Sequence, residues 1–288
     1  MNLLQEICGV LDEAAVVYAV KEVCSHKVIH IGDIAAVIPV HQCAESREEA
    51  SQEAESLKLT VSQIISRTGI YPLTIAEDRW RSQHEMMRSR LLAHLRIFKQ
   101  IYARNCIVRK IDKTTAAEFL AANHSYGDAR CRYRYGLYLQ RHTGHNAEQY
   151  EEDTTEGKIL PETLVAVATF SNARRWVKGD KIIRSYEWTR YASLPGVRLS
   201  GGMGKLLKTF IEEVNPDDIM TYADLEWSEG KVYESLGFVL EGHKAAVDFI
   251  IDRLSWKRIA ISGQTKEDGI YFQNLGSNKY RIKLTDYQ

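Results

Sequence analysis

The 288 residues are 44% hydrophobic and 26% charged, which suits one large globular domain or two modest ones with ample material for a core. Lys+Arg and Asp+Glu number 38 each, so the net charge is zero and a general polyanion binder is disfavoured. The five cysteines (Cys8, Cys24, Cys43, Cys106, Cys131) are scattered and form no CxxC pair. They point to neither a zinc knuckle nor a disulfide framework, and no metal is expected. Reduced thiols, the absence of a signal-like opening and the absence of a membrane-length apolar run make the cytoplasm the expected location.

In chain order, the first forty residues read as short strands. "AAVVYAV" and "KVIHIGDIAAVIPV" are rich in Val and Ile and are broken by Gly32 and Pro39. "ESREEASQEAESLKLTVSQIISRTG" follows as a helix, with Ser46 and Glu49 spaced as a capping box and Gly69 at its stop. A second capping box at Thr74 and Glu77 predicts another helix. Along it Trp80, His84, Met87, Leu91 and Leu95 recur as one apolar stripe, which puts His84 in the core. Thr74–Arg109 carries eight Lys/Arg against three acids, whereas Glu45–Ser56 carries five Glu against Arg47. Two solvated helix faces that attract each other explain this better than a nucleic-acid surface.

From about Asn105 the texture changes. "NCIVRKI" reads as a strand, "TTAAEFLAANH" as a short helix opening at Thr114, and "YRYGLYLQR" and "TLVAVATFS" as strands joined by the acidic insert "GHNAEQYEEDTTEGK". "RSYEWTRYASL" is a further strand, followed by a glycine turn and a helix over Gly202–Val214 that Asn215-Pro216 stops. "DIMTYAD" is a strand, "SEGKVYESLGF" a short helix running into a strand, and "AAVDFIID" the last strand of the unit. "GIYFQNLGSNKYRIKL" reads as a hairpin turning at Gly276-Ser277-Asn278. Strands that first meander and then alternate with helices indicate a mixed α/β sheet.

The glycine turn "LSGGMGKLL" carries the chemistry. A strand leading through glycines into a helix leaves several backbone N–H groups unpaired at the helix start, where the helix dipole also favours an anion. Arg198 and Lys205 flank it and could add charge-assisted contacts. The turn has neither the Gly-Lys-Ser/Thr ending of a P-loop nor the GxGxxG of a dinucleotide fold.

Further on, "KVYESLGF" (Lys231 to Phe238) resembles the Y-E-K-L-G-F signature of the GNAT family of N-acetyltransferases. "YEWTRYASLPG" resembles that family's fourth strand, and the stretch "GGMGKLLKTF…NPDDIMTYADLEWSEGKVYESLGF" looks like a branch found in bacterial and phage proteins. The resemblance covers about Asn105 to Asp252. It implies a mostly antiparallel mixed sheet flanked by helices over 105–255; an α/β region over 1–104 and a hairpin extension over 256–288 fall outside it.

It also implies acetyl-CoA as cosubstrate and a small-molecule or peptide amine as acceptor. Gly201, Gly202, Met203, Gly204 and Lys205 would present amides to the diphosphate, with Arg198 beside them. Ala192, Ser193 and Leu194 would pair with the pantetheine arm as an added strand would. Tyr233 would protonate the leaving thiolate and Glu187 would accept the amine's proton, since an amine attacks only when neutral. His124 and Tyr126 lie where the family's acceptor loop would be. The family's glycine pattern begins with Arg or Gln where this sequence has Leu199, and its Asn and Ala before the tyrosine are here Glu226 and Glu229.

Plainer roles stand beside these. Tyr233 could be a packing tyrosine, Glu187 an ion-pair partner of Arg190, and His124 a turn or capping residue. The alternative function is a non-catalytic module of the same fold, holding a nucleic acid or a protein partner through the basic stretch Arg79–Arg104 and the aromatic loop.

Overall fold

In the computed structural model, which describes residues 2–140, 162–261 and 268–285, the chain opens on a helix where the sequence suggests strands. That helix, α1 (Leu3–Glu13), is held by a capping box in which the side chains of Asn2 and Gln5 each accept from the other's backbone N–H. Next come β1 (Ala19–Val23), β2 (His26–Ile31) and β3 (Ala35–Val40), and then α2 (Arg47–Thr68). Ser46 caps α2 by accepting from the Glu49 N–H, and Gly69 ends it in the left-handed region at φ 69°.

The second predicted helix is interrupted. Thr74 lies in a strand, β4 (Leu73–Ala76), and the helical stretch breaks at Gln83 into α3 (Glu77–Ser82) and α4 (His84–His94). Trp80, Met87, Leu91 and Leu95 are buried as the stripe predicts, but His84 is exposed, its ring edge-on to Trp80 at 4.7 Å.

The chain continues through β5 (Lys99–Tyr102), β6 (Cys106–Lys110), α5 (Lys113–Asn123), β7 (Tyr133–Leu139) and β8 (Leu164–Phe170). After them come β9 (Arg174–Lys178), β10 (Lys181–Ser193), β11 (Val197–Ser200), α6 (Gly202–Val214) and β12 (Asp218–Asp224). The rest is α7 (Lys231–Glu234), β13 (Val239–Lys244), β14 (Asp248–Ile251), β15 (Arg258–Ala260), β16 (Ile270–Gln273) and β17 (Ser277–Lys283). The acidic insert lies outside the described residues. Among the described residues no helix is long and apolar enough to cross a membrane.

The chain divides into two compact units, residues 1–96 with 222–280 and residues 97–221 with 281–288. In the first, strands run in the order β1-β2-β3-β4, antiparallel except for the parallel pair β3–β4. Consecutive residues of β3 feed different cores. Val37 packs with Ile7, Leu11, Trp80 and Leu91, while Ile38 packs with Leu57, Ile64, Phe249 and Phe272. A strand covered on both faces explains why "AAVIPV" is apolar without alternation.

β14 is not the last strand of the transferase-like sheet. It forms a separate antiparallel sheet with β15 and β16, and that sheet packs against α2 in the first unit. Nor do β16 and β17 form a hairpin, since they belong to different sheets. The Asn274 side chain accepts from the N–H groups of both Val247 and Gly276, which draws the turn toward residue 247. Residues 222–255, expected with the 105–255 region, group by contact with the N-terminal residues, while β13 takes its place in the strand order of the larger sheet.

Part of the basic stretch is drawn inward: Arg79 is buried, Arg81 binds Glu6 and Glu77, and Arg88 reaches Glu13, whereas Arg96, Lys99 and Arg104 are exposed. In the second unit β6, β7, β8 and β10 form consecutive antiparallel pairs, and β12 joins β10 in parallel. Ala116 and Leu120 of α5 pack on Val167 and Ala192. On the opposite face Phe210 of α6 stacks on Phe170, with ring centroids 3.9 Å apart, and meets Tyr133 and Tyr186 edge-on.

Candidate functional site

β10 is rich in Ile, Tyr, Trp and Thr, residues suited to a half-buried pleated surface. Its parallel pairing with β12 runs from Ser185–Asp218 to Glu187–Met220 and stops there. Beyond a bulge between Trp188 and Arg190, β10 continues against β8 to the Ser193–Ala166 pair. Among the described residues no strand pairs with the other edge of Thr189–Ser193.

The Leu194 N–H donates to the Val165 carbonyl, so strand alternation turns the amides of Ser193 and Tyr191 to that other edge. Of the three residues predicted to meet a pantetheine arm, Ser193 alone offers its amide there. Ala192 is buried against α5 and Leu194 is committed to β8. Tyr191 is the residue missed, although the period of two along a strand would have paired it with Ser193.

The chain then turns at Leu194-Pro195-Gly196 and forms β11, parallel to β5. Gly201 takes φ 77° and caps α6 with no side-chain hydrogen bond, so the first amides of the helix have no side-chain partner at the cap. Gly201 has room, since a Cβ there would touch the Ala103 Cβ at an ordinary 3.6 Å. A Cβ on Gly202 would lie 2.9 Å from the Leu199 Cβ and 3.3 Å from the Tyr191 hydroxyl. That glycine is required by the chain's own packing.

The flanking cations both meet groups of the chain. Lys205 Nζ donates to the carbonyls of Ala103 at 2.9 Å and Cys106 at 2.5 Å, and the Arg198 guanidinium lies 5.3 Å from the Phe98 ring centroid. Met203 and Gly204 occupy the first turn of α6.

Glu187 is half-buried on β10. Its N–H donates to Ser171 Oγ and its carbonyl accepts from the Ser171 N–H, both at 2.9 Å. Its carboxylate forms no ion pair among the described residues. The Arg190 guanidinium instead donates to the carbonyls of Gly127 at 3.0 Å and Thr189 at 2.7 Å. Burial pulls Arg190 below its ordinary value, with the charges of Glu187 and Asp128 opposing. His124 ends α5, and its Nδ1 accepts from the Tyr126 N–H at 3.1 Å, as a capping histidine does; Tyr126 is 39% exposed.

A strand, a helix, antiparallel strands, a bulged strand released early by its parallel neighbour, and a glycine-started helix follow in one order. That is the order of elements which the GNAT resemblance implies. No protein-family model matches the chain, and no curated protein matches it by sequence. Among solved structures it is similar to a chain of the NatC complex bound to Gag peptide and CoA, at 13% identity and a TM-score of 0.36, over 63% of this chain and 99% of that one. An Arabidopsis thaliana protein in complex with acetyl-CoA gives 8% identity and a TM-score of 0.36, over 62% and 98%. A spermidine N-acetyltransferase from Vibrio cholerae gives 12% and 0.32, over 62% and 94%.

Tyr233 and its GNAT signature belong to the first unit. Tyr233 is half-buried in α7, 5.8 Å from the Phe238 ring and 5.6 Å from the Tyr280 ring. Glu226, which stands where the GNAT pattern has Asn, is buried in an ion cluster. Arg258 there donates to Asp78 at 2.7 and 2.8 Å and to Glu226 at 3.1 Å. Among the described residues no three His, Cys, Asp or Glu gather as metal ligands do.

Proposed function

We propose that this protein is an acyl-CoA-dependent N-acyltransferase acting on an amine. The observation that carries the reading is the edge of β10 beyond Glu187, with which no described strand pairs, running into a helix whose start has no side-chain cap. β12 leaves β10 at Glu187, the amides of Tyr191 and Ser193 face the vacated side, and the chain then reaches α6 through Gly201. An extended amide-bearing arm suits the strand edge, as a peptide suits a sheet edge, and a diphosphate suits the helix start.

The thioester of acetyl-CoA would supply an activated acyl carbon. The chain would do the rest. The amides at Gly202, Met203 and Gly204 hold negative charge, and those of Tyr191 and Ser193 orient the arm. One strand-edge N–H would stabilise the oxygen on which charge develops during attack. Glu187, whose carboxylate has no ion-pair partner among the described residues, takes the proton from the attacking amine. Tyr233 is assigned the return of a proton to the sulfur on the strength of its motif. Lys205 has no phosphate role in this reading, because its ammonium is held by two carbonyls of the chain, while the exposed Arg198 keeps its donors for the diphosphate.

The test is the thermal unfolding of the full chain with acetyl-CoA. A hundredfold excess over its dissociation constant should stabilise the protein by about 2.7 kcal/mol. Glu187→Gln should keep that shift while slowing transfer to a panel of amines by about a hundredfold. The absence of any shift with acetyl-CoA would refute the reading.

A further inference from the structure

The first unit contains a pocket of 540 Å³ that shares no residue with the transfer site, and its size is that of a small-molecule site. Its floor is apolar, made by Val40, Leu57 and Phe272, and two small residues of α2, Ala50 and Ala54, leave the space open.

Most polar groups of the wall satisfy one another. Ser25 Oγ meets Ser56 Oγ at 2.9 Å, His26 Nδ1 meets Thr60 Oγ1 at 2.9 Å, and His41 Nδ1 is bound to Glu77. Glu53 is the exception. Its one hydrogen bond among the described residues comes from the Cys43 thiol at a long 3.8 Å, and it forms no ion pair there, although Lys27 stands exposed at the rim. Burial pushes the Glu53 carboxyl above the ordinary carboxylate range, with the charge of Glu49 adding and His41 opposing.

A carboxylate drawn partly out of water pays a desolvation cost that a hydrogen-bonded cation would offset. Among the described residues no third metal-ligating side chain gathers beside it, so an organic cation suits the site better than a metal ion. We propose that this pocket binds a small organic amine as its ammonium ion, with the charged nitrogen on Glu53 and the apolar part on Val40, Leu57 and Phe272. An alcohol of the same shape lacks the charge, and a carboxylate is repelled.

The experiment is calorimetric titration of the full chain at pH 7 with benzylammonium, benzyl alcohol and benzoate as probes. Benzylammonium should bind at least tenfold more tightly than either of the others. Glu53→Gln should bring its affinity down to that of the alcohol, and Ala54→Phe, which fills the space without touching the charge, should abolish binding of both. Equal affinity for the ammonium and the alcohol, no binding by any probe, or an unchanged ammonium affinity in Glu53→Gln would overturn the proposal. The comparison of probes on the unmodified protein decides the matter even if a variant fails to fold. Because acetyl-CoA plays no part in the titration, its outcome is separate from that of the acyl-transfer test.

Discussion

Gly202 shows how one residue can suit a ligand and still be fixed by something else. In the sequence a glycine at a helix start suggests close approach by a phosphate, yet a Cβ there would collide first with Leu199. Gly202→Ala should therefore destabilise the chain without any ligand, by about 1–3 kcal/mol, as overpacking does. In a Leu199→Gly background the same change should cost measurably less, which denaturant midpoints for the four proteins of the cycle would reveal. Equal costs in both backgrounds would refute the packing account. Gly201 is the converse case. Its φ of 77° suits a glycine, and a Cβ there would meet nothing closer than an ordinary contact with Ala103. Glu187 was legible as a strand carboxylate but not as one without an ion pair among the described residues. The carbonyls that occupy Arg190 come from Gly127 and Thr189, and the first lies in a loop far away in sequence.

At the scale of elements, α2 and α6 were readable because caps and stripes agree. Ser46 and Gly69 bound the first, and Asn215 ends the second in the left-handed region. The break at Gln83 was not readable, since neither glycine nor proline marks it, and that break is what turns His84 out to solvent. α1 escaped because its first turn is capped by Asn2, the second residue, before any pattern has accumulated. β9 escaped because all five of its residues are exposed, which leaves no alternation to read. Lys205 is an element-scale tie between the first turn of α6 and the segment joining β5 to β6. Lys205→Met would leave two carbonyls without their donor and should cost about 1–3 kcal/mol in urea denaturation, with the acetyl-CoA shift preserved. The opposite pattern, unchanged stability with a lost shift, would return Lys205 to the phosphate.

At the scale of the whole molecule, the linear division at residues 104 and 255 missed the interleaving, because what joins residues 222–280 to the N-terminal stretch is a contact of very long range. Arg258 and Asp78 are 180 positions apart. The guanidinium is stacked between Phe249 and Phe272, at 5.2 and 4.3 Å from the ring centroids. It faces two carboxylates, and burial pushes Glu226 up to about 7, with the Arg258 charge opposing. The folded form therefore holds a proton more firmly than the unfolded chain does. Stability should fall as pH rises from the ordinary carboxylate range through about 7, the window between the unfolded and folded values. Glu226→Gln keeps the shape and should flatten that decline when unfolding is followed in urea from pH 5 to pH 8. A variant profile parallel to that of the unmodified protein would contradict the assignment.

The second unit closes with residues 281–288, beyond every motif in the sequence. Arg281 nonetheless donates to the Ser185 hydroxyl and to Asp218, a carboxylate with no solvent exposure that lies at the start of β12. Removing residues 281–288 would strand that anion in the interior beside the very strand whose departure bares β10, so the reach of the proposed groove depends on the last residues of β17.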